Sequence, residues 1–520
     1  MSSANVILIL IYFTAIFFGG AHIWSQSLLI LSVLVITVSV SVIWLVRKIR
    51  NPSTQCAIII DPLSVMGIFF VVVAVFQIVP VSSTILQFVS LNTWDMWSHV
   101  VSDSGSASSL SISLYPFITQ KAVRFVCIVL ILYWFTLYGI NTRKQIRLII
   151  EGLLVLGVFE ALYGMVQLFP GYNGLLWWEK TVSAGVATGS FIDRNHLAGF
   201  LSMIICLGVG YFWAMVREGK RNKSQLNEPR DFRSSKRSEI FGLRGVLCLL
   251  SVAVMMAGLL STASRGGTLT VIVGMLFMVG LLASRLVRKR AVFFPVVLIL
   301  IICSYVGYVA SDRVVQRFGH FESGFKGRIA IIQSTLEMGK DFPLTGIGLG
   351  AFQFVFPKYK DNHLAALIDY AHSDWAQVFA ETGILGLGIV CIGFIWFIGL
   401  VVVRWIKRRD PLILGVGLGG MGALVAIALH SFSEFNLHMP ANALVLTVIL
   451  AVTYKALYMH GEEGAEYFTY PAKKVLLPRI VACVLVLVVT TGALFVGKDT
   501  IALCRADAMA NILEFDNSLQ

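Results

Sequence analysis

The sequence predicts an all-α, polytopic membrane protein, and three observations predict it. The chain has 520 residues, of which 57% are hydrophobic and only 13% charged. A soluble domain averages about 25% charged residues. The mean hydropathy is +0.82. Apolar runs long enough to cross a bilayer as helices recur along the whole length. About thirteen spans (roughly 12–14) are expected.

The first two are Asn5–Gly20 and Ser27–Val46, the second closed by Arg47, Lys48 and Arg50. The first run lacks a basic start and leads straight into the second. It therefore reads as a span and not as a cleavable signal peptide. Leu63–Val79 follows; like the first it is short enough to be re-entrant. The loop Pro80–Ile118 carries Trp94, Trp97 and a Ser-rich run. Thr119–Gly139 and Ile146–Leu168 meet at Arg143, Lys144 and Arg147. The loop Phe169–Arg194 holds Trp177 and Trp178. Leu197–Val216 and Gly245–Thr262 flank 217–244, a charged, aperiodic stretch expected to be a disordered connector. Thr268–Leu286 and Ala291–Ala310 enclose Arg288, Lys289 and Arg290. The longest loop, Ser311–Trp375, has 65 residues. It contains a helical pattern, Ile329, Ile332, Leu336 and Met338, closed by Gly339 and Pro343. Ala376–Val403, Leu412–Leu429, Ala443–Tyr458 and Ile480–Val496 complete the spans of a membrane domain over 1–497. The tail 498–520 has an amphipathic pattern that is still running where the chain stops. It reads as the first helix of a helical repeat, and the chain as a possible C-terminally truncated fragment.

Positive charge sets orientation. Alternate loops on one side carry 27 of the 41 Lys and Arg residues, nine of them between Arg217 and Arg244. That side is read as cytoplasmic, which puts the N-terminus inside and the C-terminus outside. The net charge of +13 is then mostly a topology signal and no argument for nucleic acid. The eight cysteines lie mainly within apolar runs, with no paired C-x-x-C, so neither a disulfide framework nor a metal site is expected. No outward-facing carboxylate cluster suggests a metal-dependent mechanism. No cofactor is expected.

Long outer loops suggest a site open to the outer compartment. The 65-residue loop holds seven basic residues: Arg313, Arg317, Lys326, Arg328, Lys340, Lys358 and Lys360. Arg265 lies in Leu259–Gly267, between two apolar runs and on the outer side. A charge near hydrocarbon depth is costly unless paired, so Arg265 is either a functional group or an anchor that snorkels to the interface.

Five segments, in order, carry a resemblance. The run Gly189–Ala198 reads Gly-Ser-Phe-Ile-Asp-Arg-Asn-His-Leu-Ala. Ser264-Arg265-Gly266 follows a span. Gly327-Arg328 opens the helical pattern that leads to Pro343–Gly350. His372 begins His-Ser-Asp-Trp-Ala-Gln, with Gly383 and Gly386 beyond it. His430–Asn442 closes the series. Together they resemble the O-antigen ligase and polymerase superfamily over about Ala161 to Asn442. Asp193 departs from the family pattern, which often has Asn there.

The resemblance implies a GT-C-like bacterial inner-membrane glycosyltransferase. Such enzymes take a glycan from undecaprenyl pyrophosphate and pass it to an acceptor hydroxyl at the periplasmic face. Lipid A core, a growing polysaccharide and a protein are all open as acceptors. Arg265 and Arg328 match the family's arginines, and guanidinium forks fit phosphate geometry. His372 matches its histidine, and an imidazole can take the hydroxyl proton. Arg194, Asn195, His196, Arg313 and Arg317 are candidate substrate-binding residues. Each has a structural reading beside the functional one. His372 could cap or pack, Asn195 and His196 could hold a helix end, and His430, Glu434 and His438 read better as structural polar contacts. The tryptophans could stack on sugars but fit an interfacial belt better. Gly346–Gly350 reads as a tight turn and not as a phosphate loop. The other function class is a transporter or flippase for an anionic or lipid-linked solute. It would place its charges near the midplane on broken helices, whereas these lie at outer helix ends.

Overall fold

The computed structural model describes residues 2–50, 61–104, 110–169, 174–176, 178–179, 185–225, 232–285, 326–360 and 368–458. The expected spans Ala291–Ala310 and Ile480–Val496, the tail 498–520, Arg313 and Arg317 lie outside the described residues. The chain opens with α1 (Ser3–Ile16), α2 (Ile23–Arg50) and α3 (Pro62–Phe76). Two small helices, α4 (Ser83–Val89) and α5 (Leu91–Ser104), precede α6 (Pro116–Gly139) and α7 (Arg143–Val166). A two-stranded ribbon, β1 (Gly174–Leu175) with β2 (Trp178–Glu179), leads to α8 (Arg194–Gln225), α9 (Phe232–Ser261) and α10 (Arg265–Ala283). A helix over 326–341 is α11, and α12 (Phe352–Val355) is a single turn. The bundle closes with α13 (Asp374–Lys407), α14 (Pro411–His430) and α15 (Pro440–Tyr458).

Among the described residues, eight helices are long and apolar enough to cross a membrane: α6 to α10 and α13 to α15. Three shorter apolar helices, within α1, α2 and α3, coincide with the first three expected spans. The chain is an all-α, multi-pass membrane protein.

Two local expectations are corrected. The 217–244 connector is helical over 217–225 and 232–244, with only 226–231 outside the described residues. Its Arg, Lys, Glu and Gln residues propagate a helix well once α8 and α9 have nucleated it. Gly339 does not close α11, which runs on to Asp341. The ring of Phe379 fills the space a side chain would need there. The buried stripe of α11 is Ile331, Ser334, Thr335 and Met338, while Ile329 and Leu336 are exposed. Trp94 and Trp97 pack on Val81, Leu86, Leu110 and Ile112, and the Trp97 indole donates to the Ser111 carbonyl at 3.1 Å.

The centre of the bundle is α8, α14 and α15, the three most buried of the spans. α8 and α14 approach backbone to backbone. A methyl group on Gly210 would stand 2.3 Å from the Gly415 carbonyl oxygen, so any side chain there forces the helices apart. This is the small-residue packing that membrane helices use where apolar burial alone discriminates little.

Polar and charged residues gather at both ends of the bundle. At one end Arg143 pairs with Asp410, and Arg147 makes a two-pronged contact to Glu218 at 2.8 and 2.9 Å. There Arg408 donates to the Leu457 carbonyl at 2.6 and 2.8 Å, and Arg285 donates to the Arg408 carbonyl at 2.8 Å. At the other end lie the first residues of α8, α10, α13 and α15 and the last residue of α14. The five motif segments converge there.

Candidate active site

Two of the helix starts share one construction. Ala263 and His372 each adopt a left-handed backbone, with φ of 52° and 51°. A serine follows each and caps the helix: Ser264 accepts from Gly267 N–H and Ser373 from Ala376 N–H, both at 3.3 Å. A left-handed residue with a Cβ costs roughly 1–2 kcal/mol, so it persists only where its surroundings hold it. Around His372 they do. Ala371 N–H donates to the Gln377 side chain at 3.0 Å, and Ser373 Oγ donates to the Ser431 carbonyl at 3.3 Å. Asp374 N–H donates to the carbonyls of Ser431 and Glu434 at 2.9 and 3.2 Å.

The same hold extends to the glycine-rich loop. Gln377 donates to Glu381 Oε1 at 3.0 Å, and Glu381 Oε2 accepts from Gly350 N–H at 2.8 Å. Ile347 and Gly348 N–H donate to the carbonyls of Ala380 and Glu381, each at 3.0 Å, and Leu349 N–H donates to Gln77 at 3.0 Å. These loop amides are spent within the protein, as a turn requires and as a phosphate cradle could not allow. The loop lies against a break in α13 at Gly383, where φ is 64° and a Cβ would stand 2.3 Å from the Leu344 carbonyl. The break sets the first turns of α13 apart from 384–407. That stretch is about 36 Å long at 1.5 Å per residue and can cross the hydrocarbon alone.

The polar residues meet beside His372. Arg328 Nη1 of α11 stands 2.5 Å from Glu434 Oε1, and His372 Nδ1 stands 3.7 Å from Glu434 Oε2. Asp374, the nearest carboxylate in sequence, turns away from His372. It accepts from Ser431 Oγ at 2.6 Å and Leu437 N–H at 3.1 Å, and its other oxygen meets His438 Nδ1 at 2.8 Å. The two histidine–carboxylate contacts therefore cross between segments. Each imidazole faces the acid of the other segment. Burial opposes a charge on His438, but the Asp374 bond and the nearby carboxylates outweigh it and raise its pKa.

The Phe435 ring lies among three others. It stacks on Tyr370 with centroids 4.4 Å apart, and meets His196 at 4.6 Å and His372 at 5.2 Å edge to face. His196 lies in the first turn of α8. Its carbonyl accepts from Asn442, which also reaches Asn436 at 3.2 Å. Asn195 is buried and its N–H is capped by Asp193 at 2.6 Å. The Gly189-Ser190 part of that motif is clamped by buried Glu160, which accepts from Ser190 N–H and Oγ, each at 2.8 Å.

Arg265 is exposed at the first position of α10. The next residue, Gly266, lies against the His430 ring, 3.2 Å from where a Cβ would stand. His430 is fully buried and lies within electrostatic reach of Glu434, His196 and Arg328. Arg194 is half-buried at the first position of α8. Cations at helix N-termini work against the helix dipole, and with the backbone N–H groups there they suit an anion. Buried polar atoms without a hydrogen-bond partner among the described residues gather here: His196 Nε2, His372 Nδ1, both His430 nitrogens, Asn436 Nδ2 and Asn442 Oδ1. Such atoms are uncommon in folded proteins, and a group of them is where water or a ligand can supply the missing bonds. Among the described residues no group of three His, Cys, Asp or Glu is placed to hold a metal ion.

His372, Arg328 and His196 thus come together, and Arg265 stands beside them through Gly266. Glu434 and Asp374 lie at the centre of this network, and no local pattern in the sequence pointed to either role. Glu434 is separated from His372 by 62 positions.

Residues 250–391 match the family described as O-Antigen ligase. The match contains Arg265, Arg328 and His372, and it supports the O-antigen ligase and polymerase superfamily. It supports O-antigen ligase-like glycan transfer in general. No curated protein matches the chain.

Proposed function

We propose that this protein transfers a glycan from undecaprenyl pyrophosphate to an acceptor hydroxyl at the periplasmic face of a bacterial inner membrane, without a metal ion. A GT-C-like architecture of about thirteen spans, with a cytoplasmic N-terminus and a periplasmic C-terminus, belongs to the same reading. The acceptor oxygen attacks the anomeric carbon while its proton passes to His372. The bond from the anomeric carbon to the phosphate oxygen breaks, and its electron pair leaves on the carrier's pyrophosphate. Arg265 and Arg328 bind that pyrophosphate, and their fixed charges meet the negative charge that builds on its oxygens in the transition state. With His372 Nδ1 turned to Glu434, Nε2 is the ring atom left for the proton. His372 then returns the proton to water. Arg194, Asn195 and His196 contribute to substrate binding at this centre, and Arg313 and Arg317 are further substrate-binding residues of the same reading.

The observation that supports this reading best is the meeting of Arg328 and His372 at one buried carboxylate. The two residues come from separate motifs, on α11 and at the start of α13. The test is transfer in proteoliposomes. Purified protein is incubated with a lipid-linked glycan and, in turn, lipid A core, free polysaccharide and protein acceptors, and the products are read by mass. A mass gain equal to the glycan on one acceptor is expected. Unchanged donor and acceptors throughout would reject it.

A further inference from the structure

Glu434 is 1% exposed and stands between the two groups that the proposed reaction needs. Its contacts are unequal. Oε1 is in close ion-pair contact with Arg328, while Oε2 is 3.7 Å from His372 Nδ1, beyond hydrogen-bond reach. The carboxylate is therefore committed to the arginine and only adjacent to the histidine. Its main chain is pinned, since the Glu434 carbonyl accepts from Asp374 N–H at 3.2 Å. A movement of the side chain alone would close the gap to Nδ1. The other nearby carboxylate, Asp374, has both oxygens occupied by Ser431, Leu437 and His438.

We propose that Glu434 is a positioning residue that passes from Arg328 to His372 when the donor binds. This rests on the proposed roles of Arg328 and His372. In the free enzyme Glu434 is the anion that holds Arg328. A pyrophosphate carries more charge than a carboxylate and matches the guanidinium fork, so it takes the arginine over. A carboxylate this buried cannot be left unpaired without a large cost, and the nearest group able to become a cation is His372. Oε2 then accepts the Nδ1 proton, which fixes Nε2 toward the acceptor and stabilises the imidazolium as the hydroxyl proton arrives. The base is thereby completed only when the donor is in place. An acceptor that arrives without donor meets a histidine that lacks its carboxylate partner.

The experiment measures kcat and donor KM in proteoliposomes for the wild type, E434Q and E434D, with R328A and H372A as references. Glutamine keeps the shape but neither holds the Arg328 charge nor stabilises an imidazolium. In E434Q kcat should fall by ~10²-fold, the lower end for a general base that is present but unsupported. Donor KM should fall at the same time by about 2–5-fold, because Arg328 no longer has to be released from a partly exposed ion pair. Aspartate keeps the charge on Arg328 but falls short of Nδ1, so E434D should lose kcat with donor KM unchanged. That arm carries the test if E434Q does not fold. An E434Q or E434D protein with wild-type kcat, or with donor KM raised as kcat falls, overturns the inference and leaves Glu434 a structural ion pair. Near-wild-type transfer in R328A or H372A would instead remove the reading beneath it.

Discussion

Asp374→Asn removes one negative charge from a carboxylate whose oxygens are fully occupied. Asp374 is buried, and its partners are Ser431 Oγ at 2.6 Å, Leu437 N–H at 3.1 Å and His438 Nδ1 at 2.8 Å. Asparagine fits the same space and can still accept from two of them. What it loses is the attraction to a protonated His438. Burial opposes that proton, but Asp374 and Glu381 outweigh burial, so the folded chain holds it more tightly than an ordinary imidazole does. Stability from this source is fully present below the unfolded value of about 6.5. It is lost as pH rises through the raised folded value. A hydrogen bond to a charged group contributes about 1.5–3 kcal/mol. The His438 side chain is 25% exposed, and solvent screening moves the expectation toward the lower figure. The assay is heating of detergent-solubilised protein followed by size exclusion, across pH. The variant should melt about 1–2 °C below the wild type near pH 5.5, since the loss is spread over the unfolding entropy of a 520-residue chain, and close to it near pH 9. An equal deficit at both pH values would refute the charge linkage, and no deficit at the acid end would refute the pair itself.

Three further outcomes are expected. His372→Ala should lose transfer by ~10²–10⁴-fold while still binding the lipid-linked donor, as read by donor co-purification; retained turnover would move the base elsewhere, with His196 the next residue to test. Arg265→Ala should remain folded in the membrane with transfer cut ~10²–10³-fold, and Arg265→Lys should recover little of it, because a point charge does not replace a fork. Near-wild-type transfer in Arg265→Ala would reduce that residue to an anchor. A reporter fused after Arg409 should report cytoplasm and one fused near Lys358 periplasm, in keeping with the clustering of Arg143, Arg285 and Arg408 at the end of the bundle away from His372. Both reporters on one side would remove the proposed site from the periplasm.

The class of the protein, the spans that fall among the described residues and the order of its motif segments were legible in the sequence alone. Each depends on sums over local windows: apolar length against bilayer thickness, and basic residues against loop position. The helical pattern before Gly339 was legible as a helix. Which of its faces is buried was not, because Ile331 and Met338 are chosen by the surface α11 meets and not by its own composition. The direction taken by Asp374 was not legible: His372 lies outside the helix that Asp374 begins, and nothing in the sequence names His438 as its partner. Glu434 was read from sequence as a structural polar residue. Only the tertiary structure set it between Arg328 and His372, because that depends on how the ends of α8, α10, α11, α13 and α14 come together. Contacts such as Gly210 against the Gly415 backbone decide this. A backbone approach of that kind is a property of two helices at once. A single stretch of sequence carries one half of it, and the half does not say which other half it fits.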